Sequence, residues 1–270
     1  IPSSLRIEAV VLDRGNDDVW NHKDAGFFTH LIDAVCIKYH VEGDPAWTTV
    51  GSFQLPCEVP ILREGVIDTM IIQPVVKMNG IANTRIYYEF YREITMGHIT
   101  LTPNEVLSLD TLHTTYKSSK NIQVKWEEYF SLTSPIKLDS VLRRTRDTVC
   151  SGNASGVIRV GKEDKSISFW THDSIHCPDP SVRLYLEMDY WTDFSLSVGF
   201  NNPRYNGGNN QIYSAMTLYP NQGWQKIYIN LGNLWRLYNH YPDLRLYFTI
   251  LNGEGKEGNV YLDNMKVIAM

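Results

Sequence analysis

A chain of 270 residues, 43% hydrophobic and 20% charged, holds enough apolar material for one large or two ordinary packed domains, and it is not a disordered chain. A net charge of −5 and a pI near 5.9, with no basic stripe, argue against a nucleic acid gripped through its phosphates. No run of about 18 apolar residues occurs, so no transmembrane helix is expected.

The first half reads as short strands. Leu5, Ile7, Ala9 and Val11 alternate with Arg6, Glu8 and Val10, the period of a half-buried strand. Alternation over Leu31 to Val41 marks a second strand, ended by the turn residues Glu42-Gly43-Asp44-Pro45. Val50 to Leu55 is a third, closed by Pro56. Met70 to Met78 is a long apolar run whose Pro74 places it at an edge or a bulge. Asn79-Gly80 after it is a tight-turn pair. Ile99 to Leu101 and Val106 to Lys117 complete roughly seven strands, the pattern of a sandwich. The polar stretch Ser118-Ser119-Lys120-Asn121 marks a boundary, which divides the chain into 1–122 and 123–270.

The second half alternates more clearly. Val182, Leu184, Leu186, Met188 and Tyr190 share one face against Arg183, Tyr185, Glu187, Asp189 and Trp191. Phe194 to Asn201, Trp224 to Leu231 and Leu244 to Leu251 repeat the pattern, which implies two antiparallel sheets packed face to face. Two short helices are expected, over Leu138 to Arg146 and Leu231 to Tyr238. No strand–helix alternation that would build a parallel sheet occurs.

The polar faces carry the candidate ligand-binding residues Tyr185, Trp191, Asn201, Trp224, Tyr228 and Tyr247. Flat rings beside hydrogen-bonding groups suit a sugar, which presents an apolar C–H face ringed by hydroxyls. The same rings would serve equally as packing under loops or against the first domain. An amide-rich loop, Asn201 to Gln211, is either a binding rim or a long hairpin tip.

Four cysteines fall two per half, Cys36 with Cys57 and Cys150 with Cys177, which fits either two disulfides or four core thiols. His172, His176 and Cys177 lack a fourth zinc ligand and read as a solvated turn. No G-x-S-x-G, HExxH, CxxC or phosphate-cradling glycine loop is present, so neither an enzyme nor a cofactor is expected.

The closing segment Asn259-Val-Tyr-Leu-Asp-Asn-Met-Lys-Val267 and the strands before it resemble jelly-roll modules of the carbohydrate-binding kind. In such modules a structural calcium often takes a carboxylate from the last strand. Asp263 would be that ligand here, with Glu127 or Glu128 from the first strand of the module. Other segments are Thr29-His-Leu-Ile-Asp-Ala-Val35, Gly51-Ser-Phe-Gln-Leu-Pro56, Val76-Lys-Met-Asn-Gly-Ile-Ala-Asn-Thr-Arg85 and Gly223-Trp-Gln-Lys-Ile-Tyr-Ile-Asn-Leu231. Together these resemble a family of Bacteroidetes outer-membrane or surface lipoproteins, largely without assigned function.

That resemblance implies a lipid-bearing Cys upstream of Ile1 and a place at the outer membrane, surface-exposed or periplasmic. It also gives meaning to five Asp-Ser/Thr-apolar triplets, whose Thr69, Thr111, Ser140, Thr148 and Ser174 match the O-glycosylation pattern of that phylum. The expected fold is all-β, an N-terminal immunoglobulin-like β-sandwich followed by a C-terminal jelly roll. The expected function is non-catalytic glycan binding, or else docking as an accessory subunit on an outer-membrane β-barrel complex.

Overall fold

A computed structural model of the chain describes residues 2–15, 29–118, 120, 122–177, 179–202, 211–241 and 244–270. The fold is all-β, and the chain divides into two compact units, Ile1–Asn21 with His30–Ser118 and His22–Thr29 with Ser119–Met270.

The first unit is the immunoglobulin-like sandwich. In its smaller sheets, β1 (Ser3–Ile7) runs antiparallel to β5 (Cys57–Ile61) and parallel to β9 (Val106–Ser108), while β2 (Ala9–Leu12) runs parallel to β10 (Thr111–Thr114). The single strand expected from Leu5 to Val11 is therefore two, broken at Glu8, whose N–H bonds the Asp110 carbonyl at 2.8 Å.

The larger sheet orders β4 (Thr48–Gln54), β3 (Ala34–His40), β6 (Gly65–Lys77) and β7 (Arg85–Tyr87), with β8 (Ile94–Leu101) also paired to β6. Strand β6 is central and keeps unbroken register with β3 across Pro74, rather than the edge or bulge that Pro74 implied. Proline is tolerated because β8 pairs β6 only as far as Ile72 and β7 begins at Val75. The missing N–H therefore falls in the gap between those two neighbours, where no ladder partner is lost. Asn79 and Gly80 both take positive φ, 55° and 69°, and make the tight turn their sequence announces.

The second unit is a jelly roll of two sheets. The six-stranded sheet orders β12 (Arg143–Thr145), β13 (Ser155–Val160), β20 (Gly258–Ala269), β15 (Leu184–Thr192) and β18 (Gln225–Asn230), with β11 (Gln123–Glu128) also on β20. The four-stranded sheet orders β14 (Ser166–Trp170), β19 (Arg245–Leu251), β16 (Ser195–Asn202) and β17 (Gln211–Leu218). Leu186, Met188, Ile229 and Val267 from one sheet share a core with Phe169, Phe200, Leu246 and Phe248 from the other. Each fully buried side chain of this size contributes roughly 1.5–3 kcal/mol. The helix α1 (Gly232–Tyr238) lays Trp235 into that core, 5.8 Å from Phe200.

No helix forms over Leu138 to Arg146. The spacing of Leu138, Val141 and Leu142 imitates a helical stripe, but Leu138 bridges to Thr171 and residues 143–145 become edge strand β12. Leu138 and Leu142 still reach the core, each at 2% exposure or less.

Candidate functional site

Strand register arranges the outward residues of the four-stranded sheet in rows. Ser168 of β14, Thr249 of β19, Ser197 of β16 and Thr217 of β17 form one row. Their hydroxyls pair across strands, Ser168 with Thr249 at 3.3 Å and Ser197 with Thr217 at 2.8 Å. The next row holds Trp170, Tyr247, Gly199 and Ser214, and the one after it Arg245, Asn201 and Ile212. Rows lie about 7 Å apart along the strands and neighbouring strands about 4.8 Å apart.

The middle row is aromatic. The Trp170 and Tyr247 rings lie nearly parallel, 6° between planes, with centroids 6.2 Å apart. Beside them β16 presents bare backbone at Gly199, where a register shift in the pairing with β17 brings the strands close. A Cβ there would meet the Tyr213 carbonyl oxygen at 2.0 Å, so only glycine fits. In the third row Asn201 is 2% exposed. Its Oδ1, and the Nε of Arg245 on the paired strand, have no hydrogen-bond partner among the described residues. Leaving such groups unmet costs about 1–3 kcal/mol each. An acceptor and a donor without partners among the described residues, both covered by their neighbours, stand beside two rings of which Tyr247 is 8% exposed and Trp170 half-buried; a ligand carrying C–H faces and hydroxyls matches these groups in kind.

The outer face of the six-stranded sheet is of another kind. Glu187, Asp189, Lys226, Lys266, Asp263 and Asn264 are all 8% exposed or less. Lys266 reaches Glu187 at 3.3 Å, and Lys226 lies 3.8 Å from both Glu187 and Asp189. Asp189 also accepts from Asn264 at 2.7 Å and from the Thr29 hydroxyl, which itself accepts from Lys226 at 3.2 Å. Asp263 accepts from the Ser155 hydroxyl at 2.8 Å and from the Ser151 and Asn264 backbone N–H groups at 3.2 and 2.8 Å.

Burial pushes the Asp263 carboxyl up to about 7, against those three hydrogen bonds and with help from Asp189. Burial also draws the Lys266 ammonium down to about 8, opposed by Glu187. Cys150 beside this network is pushed up to about 12, by burial first and then by the charges of Asp189 and Asp263.

The candidate residues divide between these faces. Tyr247 and Asn201 belong to the four-stranded sheet, at 8% and 2% exposure; Tyr185, Tyr228 and Trp191 belong to the six-stranded sheet, and Trp224 immediately precedes its β18. Tyr185 is 8% and Tyr228 1% exposed, and the Tyr185 hydroxyl accepts from Asn230 at 3.2 Å. Trp191 and Trp224 are half-buried and tilt against Tyr261, at 5.5 Å and 41° and at 6.2 Å and 55°. They make a cluster rather than a flat strip.

Trp170 was not anticipated, although the alternation Ser166-Ile-Ser-Phe-Trp170 carries the signal. Of the amide-rich loop, residues 203–210 lie outside the described residues. The four cysteines are free thiols, and neither expected pair is formed. Burial raises the Cys57 thiol. The Glu128 oxygens accept from the backbone N–H groups of Phe130 and Lys137 at 2.7 and 2.6 Å. Glu128 and Asp263 are thus each engaged separately, and no group of three metal-ligating side chains gathers among the described residues. His172 and His176 are exposed while Cys177 is buried.

No protein-family model matches the chain, and no curated protein matches it in sequence. Among solved structures it is similar to a xylan-binding domain from carbohydrate-binding module family 22, at 13% identity over 54% of this chain and 93% of that one, with a TM-score of 0.37. A family 30 carbohydrate-binding module is similar at 15% identity, over 54% and 83% of the two chains, with a TM-score of 0.39. A structure of carbohydrate-binding modules from the β-sandwich superfamily is similar at 11% identity, over 87% and 84%, with a TM-score of 0.37.

Proposed function

We propose that the second unit binds a glycan along the outer face of its four-stranded sheet. Trp170 and Tyr247 stack against sugar C–H faces, and Asn201 and Arg245 hydrogen-bond to hydroxyls. The observation that carries the proposal is the aromatic row lying directly beside the unmet Asn201 Oδ1 and Arg245 Nε. Binding is reversible and non-catalytic. Affinity electrophoresis of the wild type and the Trp170→Ala variant through a panel of neutral polysaccharides tests it. Retardation by at least one polysaccharide that disappears in the variant supports the site, and equal retardation of both proteins defeats it.

The proposed setting is the envelope surface: an exported, lipid-anchored outer-membrane protein. The sequence resemblance supports it, and so does the position of the five glycosylation triplets, with Thr111 and Ser140 exposed and Thr69, Thr148 and Ser174 partly so. Radiolabelled palmitate incorporated by the native protein would be the expected result. A second use, docking on an outer-membrane β-barrel complex, is favoured by one feature. Trp191, Trp224 and Tyr261 cluster half-exposed on the opposite sheet, and Trp and Tyr are common anchors of protein interfaces. Detergent pull-down of the native protein would then recover a stoichiometric barrel, and the Trp224→Ala variant would lose it.

A further inference from the structure

Edge strand β12 is only three residues long and pairs with β13, placing Arg143 opposite Val157. Leu142 and Ile158 enter the core, so by strand alternation Arg143, Val157 and Arg159 face outward. Arg143 and Arg159 are then diagonal neighbours, about 7–8 Å apart at their backbones. Arg146 follows immediately after β12. Together with Arg144 these side chains line an open cavity of about 780 Å³, in which Asp147 is the one acid.

Their roles differ. Arg144 is committed to the fold, donating from Nε to the Phe130 carbonyl at 3.1 Å and from its terminal nitrogen to the Ser134 carbonyl. This holds the segment carrying Leu132, which is 40% exposed and forms an apolar wall of the cavity with Val157. Arg143, Arg146 and Arg159 are exposed and make no ion pair among the described residues. Four guanidiniums against one carboxylate reverse the local sign in a chain of net charge −5. Like charges gathered in this way repel one another and do not help the fold, whereas a bound anion relieves that repulsion.

We propose that this cavity is an anion-binding site for the acidic residues of a polysaccharide, uronates or sulfated sugars. Guanidinium forks match carboxylate and sulfate oxygens in bidentate geometry. The Leu132 and Val157 wall suits the C–H face of the same sugar. A nucleic acid fits less well: the cavity has no aromatic ring on which a base would stack, and the overall negative charge opposes a phosphate polymer. The site lies on the six-stranded sheet, opposite the aromatic row, and does not depend on glycan binding there.

The test is titration of the full chain with a heparin-derived sulfated hexasaccharide and with trigalacturonate, using a neutral hexasaccharide as control, at low and at physiological salt. The expected result is binding of at least one acidic probe that weakens with salt and falls at least tenfold in R143Q/R159Q. Neutral-probe binding should be unchanged, and the melting temperature should hold or rise as the repulsion is relieved. R146Q, beyond the strand, gives the same readout without touching the sheet. Failure of both acidic probes to bind at low salt, or unchanged affinity in R143Q/R159Q and R146Q alike, overturns the proposal. Tighter binding of single-stranded DNA or of anionic phospholipid vesicles than of either acidic saccharide overturns the ligand class.

Discussion

The two outward faces of the jelly roll are built from the same alternating strands and reach opposite solutions. On the six-stranded sheet the outward polar groups are closed off and satisfy one another: Lys266 with Glu187, Lys226 between Glu187 and Asp189, and Asp263 under three hydrogen-bond donors. On the four-stranded sheet the outward groups are hydroxyls paired in a row, two parallel rings, and an amide and a guanidinium with atoms left unmet. Polar groups that satisfy one another hold a structure together, and those left unmet beside a half-buried ring are the ones a ligand could still satisfy. Polarity alone does not separate the two cases; hydrogen-bond accounting does.

The sharpest way to break the comparison is to remove charge from the closed face. Glu187→Ala leaves Lys266 and Lys226 without their shared carboxylate, and deleting one partner of a buried pair costs about 3–5 kcal/mol. Chemical denaturation should show a loss of that size, and a loss below about 1 kcal/mol would mean that the face is solvated. Asp263 gives the same face a pH dependence. Its folded pKa of about 7 stands above the ordinary carboxylate value, so the folded state holds the proton more tightly than the unfolded one. Its favourable contribution is complete below about pH 4 and is lost as pH rises through about 7. Wild-type stability should therefore fall between pH 4 and 7 relative to Asp263→Asn, by a few kcal/mol in denaturation midpoints converted to free energy. Parallel curves for the two proteins would place Asp263 in solvent.

This difference between faces was legible in the sequence only in part. Alternation correctly divided Leu184, Leu186 and Met188 from Tyr185, Glu187 and Asp189, because a period of two is local and strong. It cannot say which sheet a strand joins. Strands β15 and β16 follow one another with almost no loop and enter different sheets, so Trp191 and Asn201 share an outward parity yet lie on different sheets of the second unit. Parity is silent on burial too. Lys226 and Lys266 look like solvated positions until cross-strand register brings Glu187 and Asp189 beside them. The apolar stripe of Leu138, Val141 and Leu142 misled for the converse reason: a helical spacing inside a loop-rich stretch was recruited by an edge strand.

On the four-stranded face the effects should be smaller on stability and visible in binding. Gly199→Ala places a methyl 2.0 Å from the Tyr213 carbonyl, and relief by separating β16 from β17 should cost about 1–3 kcal/mol and widen the aromatic row. Trp170→Ala should leave stability within about 1 kcal/mol, because the ring is half-exposed, while weakening glycan affinity by about 2 kcal/mol or roughly thirtyfold. Asn201→Ala separates the two demands on a polar group. Its Oδ1 has no partner among the described residues, so removing it costs the fold no hydrogen bond seen there and lifts a desolvation penalty, and the melting temperature should hold or rise. A ligand hydroxyl that used this acceptor would lose one hydrogen bond, about 0.5–1.5 kcal/mol, or roughly twofold to thirteenfold in affinity. Calorimetric melting and glycan titration on the same preparation distinguish the outcomes. Stability held with affinity lost assigns Asn201 to the ligand, whereas stability lost with affinity held would return it to the closed kind of polar group found on the opposite sheet.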